Sequence, residues 1–600
     1  MYDYRETWKK LIADAVNKLL SDAAADERID ADKVIAENPP NPEMGDIGFP
    51  MFGFSKILKK GPPQIAQLVA QLIKDAPGSA EAQGPYVNVR LNRSLTAAAV
   101  LSQLFKDKTD DSFPFARPGT KDGCKVMVEF SSPNTNKPLH LGHLRNDVLG
   151  ESVSRILKAS AADVRKVCII NDRGIHICKS MLAYKEQGQG KTPESESIKS
   201  DRFVGDYYVM FSKDVKKEAE QLIADGMEKE AAETKTPSMQ RAQDLLRQWE
   251  AADIETIELW KKMNNWSIDG MKKTYERTGV SFDKYYYESE TYMLGKDEVL
   301  KGLEKGIFYK QEDGAVAVDL SAEKLDKKIL LRSDGTSIYI TQDFGTAINR
   351  HKDWPFDQMI YVVGSEQQYH FKVLFILLEK LGYSWAKNLH HLSYGMVNLP
   401  GGKMKSREGT VVDADDLIDS LHDLALAEIK EKGREEEVGD PNEVAEKIAL
   451  GALHYFLLQT SPVKDMLFDP KESLSFTGNT GPYLQYMGAR ISSMIRKSKE
   501  KDCETADFTL LTEDSEWELI KILAGYPVTI SEAALNLDPS RIAGYLYELS
   551  KAFSRFYHEC PIITCENASL SKARLELSRA VMFVLKDAFN LTCIPFLEVM

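Results

Sequence analysis

The 600-residue chain is poor in cysteine, with seven, at positions 124, 168, 178, 503, 560, 565 and 593. An odd, scattered set does not make a disulfide framework. Only Cys560 and Cys565 are close together, and no histidine pair sits beside them, so no protein-bound structural metal is expected. Long apolar runs are missing: no stretch approaches the roughly 18 consecutive apolar residues of a membrane span. The opening MYDYRETWKKLIADAVNKLL carries charges where a secretory leader carries an apolar core. The expectation is a cytoplasmic protein with no membrane partner. Basic excess is missing too. Lys and Arg number 77 against 91 Asp and Glu, a net charge of −14. Nucleic-acid-binding domains are usually basic, so this first argues against an RNA partner. Nor is there a G-x-G-x-x-G turn after a strand, as a dinucleotide site of the dehydrogenase type needs. GQGKT (188–192) looks like the end of a phosphate loop, but Lys185 stands where that pattern needs glycine, and no strand precedes it.

What is present is an ordinary globular composition, 43% hydrophobic and 28% charged. Its length suggests about four domains. Residues 1–110 read as a small α+β unit. Tyr2–Ala25 has helical spacing, a helix should start at Pro62–Pro63, and GPYVNVRLN alternates like a strand. The polar stretch 106–123 reads as a linker. Residues 111–412 read as an α/β domain with a parallel sheet. KVMVEFSS (125–132), VRKVCIIN (164–171), MIYVVG (359–364) and HHLSYGMVN (390–398) are the predicted strands, and a helix should run over 141–159. The gap between the second and third strands is too long for a crossover. Residues 172–335 are therefore assigned to an insertion. Residues 413–600 have helical periodicity almost throughout and read as an all-α domain.

The chemistry concentrates in FSSPNTNKPLHLGHLRN (130–146), where a strand runs through a Pro/Asn turn into a helix. Open parallel sheets bind ligands at that edge. A helix N-terminus offers unpaired N–H groups suited to phosphate. His140 and His143 flank Gly142 and could donate to a phosphate during displacement. Read alone, either histidine is more often a packing or capping residue. Two of them in HxGH after a strand favour a ligand role. A second loop, VNLPGGKMKSREGTVV (397–412), joins two glycines to Lys403, Lys405 and Arg407. By itself it is as consistent with a solvated basic turn as with a phosphate clamp.

HLGH resembles the "HIGH" signature of class I aminoacyl-tRNA synthetases, and KMKSREG their "KMSKS" loop. The longer SSPNTNKPLHLGHLRN resembles the arginyl-tRNA synthetase family, as do NDRGIHICKSM (171–181), SIYITQDFGTA (337–347) and NTGPYLQYMGARI (479–491). The resemblance spans nearly the whole chain and is of bacterial type. It implies a Rossmann-like catalytic domain with an insertion, a small N-terminal α+β domain that contacts the tRNA elbow, and an all-α C-terminal anticodon-binding domain. It implies activation of L-arginine by ATP with Mg2+, then transfer to the 3′-terminal adenosine of tRNA(Arg), by a monomer.

The same resemblance assigns His140, His143, Lys137, Lys403, Lys405 and Arg407 to catalysis. Pro133, His140, Gly142, His143, Met396 and Val397 are assigned to ATP. The second lysine of KMSKS falls at Ser406, so Lys137 is expected to substitute for it. Glu288 and Asp343 are expected to face the guanidinium, a planar fork of donors that prefers carboxylates. Tyr339 flanks the side chain, and Asn134 and Gln367 hold the amino-acid end. One local departure is Gln342, where the family usually has arginine. A charge-based site rejects analogues strongly, so the insertion is read as substrate and acceptor contacts, not as an editing domain. Tyr483, Gln485, Tyr486 and Arg490 are expected on one helix that meets the anticodon. Tyr86 and Asn88 are the elbow candidates. Without the resemblance, these carboxylates would be solvated surface groups, Tyr483 and Tyr486 could as well be core residues, and Tyr86 and Asn88 would simply belong to a strand with alternating faces.

Two alternatives stay open at this point. One is a class I synthetase for another amino acid. The other is a non-catalytic tRNA-binding paralogue, against which the intact HxGH argues. The acidic total does not exclude tRNA, because charge acts locally and Lys/Arg cluster at 403–407 and 490–501.

Overall fold

The structure, a computed structural model, describes all residues except 1–2, 24–26, 75, 107, 109–112, 399–411, 435–436 and 499–505. Two compact units share the chain: Met1–Pro118 with Arg490–Thr529 and Tyr545–Asp587, and Gly119–Ala489 with Ile530–Gly544 and Ala588–Met600.

The larger unit is built on a five-stranded parallel sheet. Its strands are β1 (Lys125–Glu129), β2 (Asp163–Ile170), β3 (Lys284–Tyr287), β4 (Gln358–Gly364) and β5 (Leu389–Tyr394), in the order β5-β4-β1-β2-β3. β1 and β4 are near-continuous runs of buried apolar residues, as expected of strands covered on both faces. The chain starts at the sheet's centre, builds outward through β2 and β3, then returns to build the other side. The reversal falls between β1 and β4, and a crevice opens there at the strands' C-terminal ends. Helix α1 (Leu141–Ala159) follows β1. Helices α2 (Tyr339–Asp353) and α3 (Gln368–Lys380) bracket β4.

Three sequence expectations need correction in detail. β3 lies inside the segment read as an insertion, so 172–335 contributes a strand to the central sheet. KYYY at a sheet edge is half-buried and lacks the Val/Ile run that marks β1 and β4. The 390–398 strand is interrupted. β5 ends at Tyr394, and Val397–Asn398 pairs instead with Met466–Leu467. Gly395 allows the break, since a Cβ there would lie 2.4 Å from the Lys464 carbonyl carbon. Third, the Tyr2–Ala25 pattern folds as helix Tyr4–Asp22, because the Asp3 side chain caps it by accepting from the N–H groups of Arg5 and Glu6.

The polar stretch after β2 forms helices around their own hydrophobic core, including Phe203, Tyr207 and Met263. Beyond β3, a small antiparallel sheet of Tyr309–Lys310, Val316–Val318 and Lys328–Leu331 packs under α2 and α3 around Phe308, Phe344 and Leu374.

In the smaller unit, helix Pro62–Leu72 begins on the proline pair, where a missing N–H costs nothing. Strands Ile47–Pro50, Gly78–Gln83 and Tyr86–Leu91 form an antiparallel sheet. Its C-terminal part consists mainly of long helices, among them Ala568–Leu591. Among the described residues no helix is long and apolar enough to cross a membrane.

Candidate active site

Past the end of β1 the backbone does something L-residues rarely do twice in succession: Ser131 and Ser132 sit at φ +68° and +50°. Such conformations cost about 1–3 kcal/mol each and persist where the surroundings enforce them. Here Ser131 N–H donates to Asn146 Oδ1 at 2.5 Å, and its hydroxyl meets Tyr275 OH at 2.6 Å. Asn171, at the end of β2, donates its side-chain amide to Ser132 O and its N–H to Pro133 O, both at 2.9 Å. The turn lifts Pro133–His140 over the crevice and sets Asn134 beside Asn171.

His140 is the N-cap of α1. Its Nδ1 accepts from Gly142 N–H, and His143 Nδ1 accepts from His140 N–H, both at 3.1 Å. The ring centroids are 3.9 Å apart. A ring nitrogen that accepts carries no proton, so both protons sit on Nε2. Burial holds both imidazoles neutral, with nearby Lys137 adding to the effect. His140 is pushed down to about 3 and His143 well below its usual range. Capping and ligand binding are therefore compatible, because the caps use Nδ1 and leave two neutral Nε2–H donors. Gly142 has a role here that the sequence did not suggest. A Cβ on it would lie 3.0 Å from His140 Cε1, so glycine seats the ring. Lys137 is close to this pair, and its burial lowers its proton affinity. With Arg202, Tyr208 and Asp413 it lines a cavity of about 250 Å³.

Lys403, Lys405 and Arg407 lie outside the described residues. The flanks of their loop are described. Upstream, Val397 is buried, and Met396 is exposed while donating its N–H to Asp465 Oδ1 at 2.7 Å. Downstream, Leu141 N–H donates to Val412 O at 3.4 Å and Ala414 N–H to Leu139 O at 2.9 Å. The loop's end is thus hydrogen-bonded to the HxGH segment. Buried Arg145 braces the same helix by donating to the carbonyls of Leu457 at 2.7 Å and Pro462 at 3.0 Å.

Acidic groups gather past the ends of β2 and β3 and on α2. Glu288 is the first residue after β3. Burial pushes its carboxyl up to about 7; Arg173 opposes this, and Asp172 and Asp343 add to it. Asp172 was not singled out from the sequence. It lies two residues past β2, where it accepts from Ser289 N–H at 2.8 Å and Ser289 Oγ at 2.7 Å, fixing the turn that carries Glu288. The N-D pair closing a strand was the available signal. Arg173 is engaged elsewhere, 3.8 Å from the Tyr292 ring centroid and 3.3 Å from Glu250. Asp343 stands one turn after Tyr339 on α2, and Tyr339 is 78% exposed, open to a ligand. Buried Arg350 on the same helix pairs with Glu129 of β1 and locks α2 to the sheet. Gln367 is exposed at the end of β4.

Residues 115–470 match the family model "tRNA synthetases class I (R), catalytic domain", 484–600 the "DALR anticodon binding domain", and 6–91 the "Arginyl tRNA synthetase N terminal domain". The chain is 59% identical to the arginine–tRNA ligase of Treponema denticola over 613 residues, covering 100% of both chains. It is 53% identical to that of Treponema pallidum over 612 residues, again covering 100% of both. The solved arginyl-tRNA synthetase of Thermus thermophilus superposes with a TM-score of 0.78 at 25% identity, over 98% of this chain and 99% of that one. The chain belongs to the arginyl-tRNA synthetase family. It is a class I aminoacyl-tRNA synthetase, an arginine–tRNA ligase using ATP.

The RNA-facing candidates of this synthetase divide. Tyr483 and Tyr486 are half-buried on helix Gly481–Ser498. Arg490, on the same helix, lies 4.1 Å from the Tyr557 ring centroid. Gln485 is 0% exposed and donates to Lys447 O at 2.8 Å and Pro595 O at 2.9 Å. The side chain is thus spent on packing the helix, and burial withdraws it from any RNA surface. Asn88 is likewise buried, donating to Gln83 Oε1 at 2.8 Å, while Tyr86 is half-buried with its ring edge-on to Phe52.

Proposed function

We propose that this synthetase performs its two steps, arginyl-adenylate formation and transfer to tRNA(Arg), by binding opposite charges at opposite ends of one crevice. The observation that carries this is Glu288: a carboxyl that burial, with Asp172 and Asp343 adding to it, keeps partly protonated awaits a cation. The guanidinium of arginine supplies one. Glu288 and Asp343 receive it, Tyr339 flanks it, and Asn134 and Gln367 hold the α-amino and carboxylate groups.

At the other end His140 and His143 donate from Nε2 to the ATP phosphates. Pro133, Gly142, Met396 and Val397 frame the adenosine side. Lys137 takes the role of the missing second lysine of the signature loop, and Lys403, Lys405 and Arg407 add charge to the leaving pyrophosphate. The enzyme's contribution is positioning and stabilisation of developing charge. The Nε2–H groups of His140 and His143 and the ammonium of Lys137 donate hydrogen bonds, so Mg2+ would be held by phosphate oxygens and water.

The N-terminal domain, with Tyr86 in its sheet, meets the tRNA elbow. The helical C-terminal domain reads the anticodon with Tyr483, Tyr486 and Arg490. The protein works as a cytoplasmic monomer. Exchange of pyrophosphate into ATP, run with each amino acid with and without tRNA, tests the assignment. Arginine alone should support exchange. Exchange with another amino acid, or tRNA binding with no exchange at all, would reject it.

A further inference from the structure

Asp343 reaches the crevice from a half-exposed position on α2, and a carboxylate there is free to turn about its last torsion. A guanidinium needs acceptors held in its own plane, so an unrestrained carboxylate would have to be ordered at the expense of binding. One described side chain restrains it. His370, in the first turn of α3, lies with Nε2 2.6 Å from Asp343 Oδ2. The carboxylate accepts, so Nε2–H donates. The neighbouring Gln342 makes no side-chain hydrogen bond among the described residues and gives Asp343 no such support.

We propose that His370 is a positioning residue for arginine recognition, holding Asp343 Oδ2 so that Oδ1 is presented to the guanidinium. The proposal rests on the reading that Asp343 binds that group. With Oδ2 occupied, Asp343 offers one acceptor and Glu288 supplies the next, so the planar fork is shared between α2 and the end of β3. The pair's side chains are 28% and 43% exposed, and a side-chain contact this open to water adds little to fold stability. Its consequence therefore falls on binding. α3 also starts directly after Gln367, so the same turn that holds Asp343 carries the residue placed at the substrate's carboxylate end.

The test compares H370F, H370Q, H370N and D343N in tRNA-dependent pyrophosphate exchange, with thermal melting alongside. H370F keeps a flat ring and removes the donor. It should raise the arginine KM about tenfold, the order expected for a hydrogen bond to a charged group, with ATP KM and Tm nearly unchanged. In H370Q the amide nitrogen reaches the Nε2 position and should restore most of the loss. In H370N the amide is too short and should behave like H370F. D343N should raise the arginine KM at least as much. An unchanged arginine KM in H370F with an impaired D343N would overturn the role of His370. An unchanged D343N would instead overturn the reading of Asp343. A drop in Tm with arginine and ATP parameters falling together, unrescued by H370Q, would make His370 merely structural.

Discussion

The two ends of the crevice solve opposite problems with opposite electrostatics. At the β1 end, burial strips charge from the histidines and leaves neutral donors, with a buried lysine beside them. At the acidic end, burial raises the proton affinity of Glu288, and nearby Asp172 and Asp343 add to it. An anion suits the first and a cation the second. The first group sits at the start of α1, the second on the turn after β3 and on α2.

The largest effect should come from breaking the neutral end. His143→Ala removes an Nε2–H donor and the acceptor that fixes His140 N–H. Loss of one preorganised donor costs about 10²–10³ in rate, so the activation rate should fall by that order while tRNA affinity, measured by filter binding, stays nearly constant. Equal loss of both would point to a folding defect.

Breaking the acidic end should cost somewhat less. Glu288→Gln keeps shape and removes charge, and arginine KM should rise by about 10- to 100-fold, the range for hydrogen bonds to charged groups, with ATP KM unchanged. An unaltered arginine KM would remove Glu288 from the site.

Acid sharpens the comparison without mutation. Glu288 titrates at about 7 in the ligand-free enzyme and must be ionised to hold a guanidinium. As pH falls below 7, kcat/KM for arginine should fall toward tenfold per pH unit, while E288Q should lose this dependence. The stability sign is the reverse. A carboxyl whose folded pKa is raised binds more protons folded than unfolded between about 4.3 and 7, so its contribution opposes folding increasingly as pH rises through that window. Saturating arginine should cancel that trend in Tm. The smallest effect belongs to Gly142→Ala. The added Cβ meets His140 Cε1 at 3.0 Å, so the ring must give by a few tenths of an ångström. A severalfold rise in ATP KM is expected, with arginine KM constant.

Much of this was legible in the residues. Buried strands such as β1 and β4 announce themselves by unbroken apolar runs, and HxGH at a strand–helix junction localised the phosphate end. β3 escaped because a four-residue edge strand of lysine and tyrosines carries no such run. Asp172 and His370 escaped because their partners, Ser289 and Asp343, are 117 and 27 residues away in sequence, and only the fold joins them. The helix 481–498 taught the opposite lesson. Tyr483, Gln485 and Tyr486 read as RNA-facing residues of one helix, yet Gln485 points into the core, because a side-chain amide offsets burial by satisfying two backbone carbonyls.

The central claim is that the acidic end holds a proton until arginine displaces it. Calorimetry of arginine binding to the ligand-free enzyme at pH 7, in buffers of different ionisation heat, measures that proton directly. With Glu288 partly protonated there, binding should release a fraction of a proton, and E288Q should release none. Arginine binding without proton release in the unmodified enzyme would contradict the account.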